Sequence, residues 1–251
     1  MAHRDRIVAF LDELLNVRAI DDRSVNGLQV AGGDAVDRVA VATDAALATY
    51  QRAIELGCQL LLVHHGLIWG GITTVTGRNH QHLKLLLEHD LNLYAAHLPI
   101  DLHPTVGNNV ELARMISLEE VVPWGDYHGT PIGVRGRLAT PIKLQHLAAK
   151  FAGQLGGEPQ SLAFGPKMVQ SIGIVSGDGS STLPEAVEAG LDCLVTGEGN
   201  HPDHHQALEG GINVLYLGHY RSETVGVRAV GRALEREFGV EVVFIDEPTS
   251  F

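Results

Sequence analysis

Hydrophobic and polar positions fall along this chain in long blocks rather than in residue-by-residue alternation. An amphipathic opening from about Asp5 to Leu15 has helical spacing, and the turn-rich stretch DDRSVNGLQVAGGD follows it. From Arg38 a strand–helix rhythm sets in. RVAVATD closes on Asp44, ALATYQRAIELG predicts a helix stopping at Gly57, and CQLLLVHH is a continuous apolar strand closing on two histidines. HQHLKLLLEHD predicts a helix, LNLYAAH a strand and NNVELARMI a further helix. The second half repeats the rhythm less regularly. PIGVRGRLATPIKLQHLAAKFAGQLGG predicts a strand and a helix, SLAF and SIGIV two strands, and LPEAVEAG a short helix. LDCLV and INVLYLG predict strands, SETVGVRAVGRALEREFG a helix, and VEVVFID a last strand.

Strands that are apolar at every position, separated by helices, belong to parallel sheets covered on both faces. The chain is therefore of the α/β class, read as two small α/β lobes with mainly parallel sheets flanked by helices. The Pro- and Gly-containing segment VVPWGDYHGTPIG, about residues 121–133, is the expected boundary, and no convincing short repeat relates the halves. Ligands of such sheets sit beyond the carboxyl ends of the strands. Polar residues collect at those ends here: Asp44, then His64 and His65, then His97.

Composition narrows the classes. With 251 residues, 45% of them hydrophobic, the chain can bury a sizeable core without disulfide or metal staples, so disorder is excluded as its dominant state. Eighteen Lys and Arg against 30 Asp and Glu give a net charge of −12, which argues against nucleic acid as the main partner. A metal-bound nucleotide remains open. Cys58 and Cys193 lie in apolar runs and predict buried thiols in a reducing compartment. No run of 18 apolar residues occurs and the N-terminal stretch lacks a signal-like apolar core, so no membrane segment and a cytoplasmic location are expected. The 14 histidines outnumber the 6 Phe and 5 Tyr together, which turns attention to where they fall.

In LLVHHG the strand ends at Gly66, where His64 and His65 can diverge towards two ions instead of pointing to opposite faces. Two solvated histidines at a strand terminus are the plain alternative. In AAHLPIDLHPTVGNN, His97 ends a strand and Asp101 follows across Pro99, a pairing that suits a borderline divalent ion; helix capping is the plain alternative for Asp101. In LGHYRSETVG, His219 ends a strand and Glu223 opens a helix, where the dipole alone would favour an acid. Convergence shifts the balance, because His64, His65, Asp101, His219 and Glu223 would hold two divalent cations and leave positions open for water. The chemistry of such a pair is hydrolysis. SGDGSS imitates a dinucleotide fingerprint through Gly177 and Gly179, with Glu198 near the place of a ribose acid. Thr182 stands where a third glycine belongs, so this reading ranks last and no organic-cofactor residue is assigned. GEGNHPDHHQ carries His201, His204 and His205, which would form a solvated turn, an accessory metal site or the lining of a substrate cleft.

At these residues the chain resembles the NIF-three-like dinuclear metal centre proteins, often labelled GTP cyclohydrolase 1 type 2 homologs. The resemblance rests on SVNGLQVAG (24–32), LLVHHGLIW (61–69), AAHLPIDLHPTVGNN (95–109), IVSGDGSS (174–181), LVTGEGNHPDHH (194–205) and LGHYRSETVG (217–226), in the family's order. It implies a first lobe made of residues 1–125 and 222–251 and a second of residues 126–221, with the metal site at strand C-terminal ends between them. The family's ligands fall on His64, His65, Asp101, His219 and Glu223, and the cofactors implied are two divalent metal ions per subunit, Zn, Mn or Fe. His97 is similar to a family histidine beside the metals, which implies either a support behind the ligands or a catalytic acid/base; the catalytic role is the expectation. A homohexameric ring, a trimer of dimers, is implied as the assembly. The label implies hydrolytic opening of the guanine imidazole ring of GTP with release of formate. The expected function is a metal-dependent hydrolase acting on a nucleotide or phosphorylated small molecule. The alternative from another class is a non-catalytic metal-binding hexameric ring serving as scaffold or regulator.

Overall fold

A computed structural model describes residues 1–72 and 74–250. They fall into two compact units, Met1–His103 with Gly226–Glu247, and Pro104–Val225 with the residues from Pro248 onward. The first unit opens with β1 (Ala2–His3), α1 (Arg4–Leu15), β2 (Gly27–Val30) and β3 (Ala35–Val36). Its strand–helix run is β4 (Arg38–Asp44), α2 (Leu47–Glu55), β5 (Leu60–His65), α3 (Gly77–Glu88) and β6 (Asn92–Ala95), closed by the single turn α4 (Leu98–Asp101). The second unit contains α5 (Asn108–Met115), β7 (Glu119–Tyr127), β8 (Thr130–Lys143), α6 (Leu144–Leu155), β9 (Gln160–Ala163) and β10 (Met168–Val175). It continues through α7 (Leu183–Glu188), β11 (Cys193–Thr196), α8 (Asp203–Gly210) and β12 (Asn213–Tyr216). Helix α9 (His219–Phe238) begins in the second unit and ends in the first, where β13 (Glu241–Phe244) follows.

In the first unit the described residues form a sheet of order β13–β4–β5–β6–β2. β13, β4, β5 and β6 run parallel and β2 pairs antiparallel with β6. Leu60, Leu61, Leu62 and Val63 of β5 are all fully buried, which is what an unbroken apolar run requires of a strand covered on both faces. Their helical cover includes Tyr50 and Ala53 of α2 and Leu86 of α3. The parallel register sets Asp44 of β4 beside His65 of β5, so the polar ends of neighbouring strands emerge together.

The second unit's sheet is mixed, which corrects the expectation of two mainly parallel sheets. Its order is β7–β8–β10–β11–β12–β9, with only β10, β11 and β12 parallel among the described residues. The segment expected as a lobe boundary is the β7–β8 hairpin of this unit. His128 and Gly129 take positive φ (52° and 84°) at its tip, the twist that a tight antiparallel connection needs. Pro123, which lacks an N–H, is accommodated because β7 is an edge strand.

A shared plan lies beneath the unlike sequences. In each unit three consecutive parallel strands joined by helices are followed spatially by one antiparallel strand at the edge: β4–β5–β6–β2 in one, β10–β11–β12–β9 in the other. Each uses a buried asparagine at the start of the third strand. Asn92 accepts the Gly32 N–H at 2.7 Å and donates to the carbonyls of Gly33 and Gln59 at 2.8 and 2.9 Å. Asn213 accepts the Gly165 N–H at 3.1 Å and donates to the carbonyls of Pro166 and Asp192, both at 3.0 Å. In both cases one side chain closes the backbone groups that the strand ladder leaves open. Among the described residues no helix is long and apolar enough to cross a membrane.

Candidate metal centre

In the first unit the β5 strand delivers His64 and His65 at its last two positions, before the chain turns at Gly66. Both rings lie on one side of that turn, with centroids 4.6 Å apart. His97 ends the connection out of β6 and caps α4, and the single helical turn that follows puts Asp101 one turn beyond it. The result is a compact donor group. Ligand atoms of His64, His65 and His97 lie within 4.8 Å of one another, and Asp101 Oδ2 stands 3.6 Å from His64 Nε2.

Each imidazole in this group is held from behind through Nδ1. His64 Nδ1 meets the Ala96 carbonyl at 3.1 Å, and His65 Nδ1 meets Asp44 Oδ1 at 2.8 Å. His97 Nδ1 lies 3.1 Å from both oxygens of Asp22. A carbonyl or carboxylate at Nδ1 fixes the ring and its tautomer, which leaves Nε2 with a lone pair for a cation or a proton. Burial would push the Asp22 carboxyl upward, but hydrogen bonds from His97, Asn26 and the Ser24 backbone outweigh it and bring the group down to about 2. Asp22 is thus a fixed anion behind His97. The Trp69 ring crosses the edge of His97 with centroids 4.9 Å apart and walls that side of the group.

The second unit repeats the device. His219 lies at the start of α9, where its Nδ1 stands 3.0 Å from Glu198 Oε1 and its Nε2 3.2 Å from Glu223 Oε2, one helical turn on. Glu223 raises the His219 imidazole and Glu198 adds to this; against burial, they hold it at about 9. Gly177 presses on the pair from the turn after β10. At φ +61° its ideal Cβ would fall 2.1 Å from Glu223 Oε1 and 3.3 Å from His219 Nε2, so a side chain would fill the cradle.

The donor set fits a borderline divalent cation: imidazole nitrogens and carboxylate oxygens, preoriented and partly buried. The structure therefore gathers His64, His65, His97 and Asp101 in one unit and His219 with Glu223 in the other. His201, His204 and His205 are exposed around the start of α8, with His204 edge-on to Phe164 at 5.0 Å, and His201 and His204 line a cavity of the second unit. The glycines of SGDGSS serve packing. Gly177 meets Glu223, and a Cβ on Gly179 would strike Val175 at 2.5 Å and Thr196 Oγ1 at 2.8 Å. Glu198, placed by the sequence near a ribose, is occupied in holding His219. Asp22 had no local signal, since it lies 75 residues before His97 in a polar turn. The acid closing β4, Asp44, was visible as a strand-end residue, though not as the partner of His65.

A model of the family Duf34/NIF3 (NGG1p interacting factor 3) matches residues 2–250. The GTP cyclohydrolase 1 type 2 homolog of Pyrococcus horikoshii is 46% identical over 247 residues, covering 98% of each chain. The protein of the same description from Deinococcus radiodurans is 42% identical over 254 residues, covering 98% of this chain and 94% of its own. Among solved structures, TTHA1606 from Thermus thermophilus is similar at a TM-score of 0.92 and 39% identity, covering 99% of this chain and 100% of that one.

Proposed function

The chain belongs to the Duf34/NIF3 family, and on that premise we propose that it is a dinuclear metal-binding protein acting as a metal-dependent hydrolase on a nucleotide or phosphorylated small molecule. The observation that carries this reading is the common setting of the imidazoles. His64, His65, His97 and His219 are each anchored at Nδ1 by a carbonyl or carboxylate. Solvated surface histidines have no need of such anchors, whereas metal-ligating ones use them as a rule. His64, His65, Asp101, His219 and Glu223 are the proposed ligands of two divalent ions per subunit, with Zn, Mn or Fe the expected identities. The assembly proposed with them is a homohexameric ring, a trimer of dimers.

Bound ions would supply Lewis acidity and a water acidic enough to react near neutral pH. The chain's own residues do the rest. His97 is the proposed acid/base: with Nδ1 turned to ionised Asp22, its Nε2 is free to take a proton from an attacking water and return it to a leaving group. Asp44 and Glu198 keep His65 and His219 from rotating away. Trp69 packs edge-on against His97 and limits how far that ring can swing.

The test is elemental analysis of the purified protein with a hydrolase screen before and after chelation, following formate from GTP and phosphate from esters. The reading expects about two metals per chain and turnover that chelation abolishes. Two metals without turnover would replace it with a non-catalytic metal-binding ring. No stoichiometric metal after reloading would overturn it.

A further inference from the structure

The second unit carries a half-open cavity of about 670 Å³ that none of the proposed metal donors lines. That size lies within the range of pockets that take a small organic molecule. Its wall includes Gly218 and Glu198, so the cavity abuts His219 and begins where α9 begins. Arg221, in the first turn of α9, is the permanent cation among the described residues that line it.

The guanidinium of Arg221 is placed by backbone rather than by a carboxylate. After α6 the chain passes through Gly156 and Gly157 at φ +74° and +71°, and the guanidinium lies against the second of them. An ideal Cβ on Gly157 would sit 2.6 Å from Arg221 Cζ and 2.9 Å from one terminal nitrogen, so a side chain there would expel the group. Among the described residues no ion pair or hydrogen bond engages that guanidinium. Two carboxylates share the lining without pairing with it: Glu198 meets His219 Nδ1 at 3.0 Å, and Glu158 lies exposed. Tyr216 donates to Asp203 at 3.3 Å and turns its ring to the cavity as a wall. A positioned, half-buried guanidinium with free donors calls for an oxyanion, and the N-terminus of a long helix beside it favours a doubly charged one.

We propose that Arg221 reads the phosphate of a small organic phosphate bound in this cavity, with the rest of the ligand extending towards His219. The direction of the ligand rests on the hydrolase reading above, whereas the phosphate site stands on the cavity and Arg221 alone. Gln160 and Asn200, also in the lining, offer amides to sugar hydroxyls or a base.

The experiment is calorimetric titration of the full chain and of its Arg221→Ala and Arg221→Lys variants, metal-loaded and chelated, with GMP and ribose 5-phosphate. Guanosine and ribose serve as the phosphate-free probes, and metal content is measured on every sample. Arg221→Ala is expected to weaken the phosphorylated probes by about 10- to 100-fold and to leave guanosine unchanged. Arg221→Lys should restore part of the loss, because an ammonium supplies charge without the planar fork. Equal affinity of wild type and Arg221→Ala for GMP, or no binding of either phosphorylated probe by wild type at millimolar concentration, would overturn the proposal. Metal-free protein with Arg221-dependent binding would sink the hydrolase reading alone; metal-loaded protein that binds GMP regardless of Arg221 would sink this one alone.

Discussion

Alanine at Gly177 asks how much room the Glu223 carboxylate has. The ideal Cβ falls 2.1 Å from Glu223 Oε1 and 3.2 Å from its Cδ. Non-bonded heavy atoms settle at about 3.5 Å, so the carboxylate must retreat by roughly 1.4 Å. Its side chain is only 4% exposed, and a close-packed interior has no spare volume to receive it. The retreat breaks its 3.2 Å approach to His219. A second cost comes from the backbone, because alanine at φ +61° loses about 1–2 kcal/mol in the left-handed region. Gly211→Ala separates the two effects: Gly211 has φ +62°, yet no described atom lies within 4 Å of its Cβ. The control should lose the backbone increment alone, lowering Tm by about 2–4 °C per kcal/mol with metal uptake unchanged. Gly177→Ala should lose more than the control and bind divalent ions about 10- to 100-fold more weakly. Thermal melts and a chelator-competition titration with Zn2+ read the two quantities. Wild-type metal affinity in Gly177→Ala, or a stability loss no larger than that of Gly211→Ala, would refute the confinement of Glu223.

Further outcomes follow from the same geometry. Asn92→Ala and Asn213→Ala each remove three hydrogen bonds and strand buried backbone groups, so each should cost about 2–4 kcal/mol in urea unfolding. A loss under about 1 kcal/mol would show the device to be dispensable. Burial pushes the Cys58 thiol up to about 11 and raises Cys193 as well, so both should ignore a thiol reagent at pH 8 until the chain is unfolded. Fast labelling of either in native protein would contradict their burial. Glu223 and Glu198 hold His219 at about 9, above the ordinary value near 6.5. A raised histidine pKa stabilises the folded chain fully below the ordinary value and loses that contribution as pH climbs through the raised one. Metal-free protein should therefore melt at falling temperature from pH 6.5 to about 9, and His219→Gln should flatten the slope. An unchanged slope in that variant would assign the pH dependence elsewhere.

The legible part of this protein was local. β5 could be read because four consecutive buried residues, Leu60 to Val63, leave polar side chains no place but its end. His64, His65, His97 and His219 were visible for that reason, and Asp101 and Glu223 because each follows by four residues a histidine just past a strand end. The mixed sheet of the second unit was not legible, since Pro123 and Gly125 read as a linker unless β7 is known to be an edge strand. The shared plan of the two units was hidden too. The side chain common to both is a single asparagine, too few matching letters to register as a repeat.

By itself the sequence determined the strand–helix alternation, the α/β class and which strand ends carry imidazoles and carboxylates. Burial of a strand on both faces demands unbroken apolar runs, and that demand is written residue by residue. Only the tertiary structure decided which acid stands behind which histidine. Asp44 reaches His65 across 21 residues, Glu198 reaches His219 across 21, and Asp22 reaches His97 across 75. Those pairings depend on strand register and on where a polar turn lands against a sheet edge, and no local pattern encodes either.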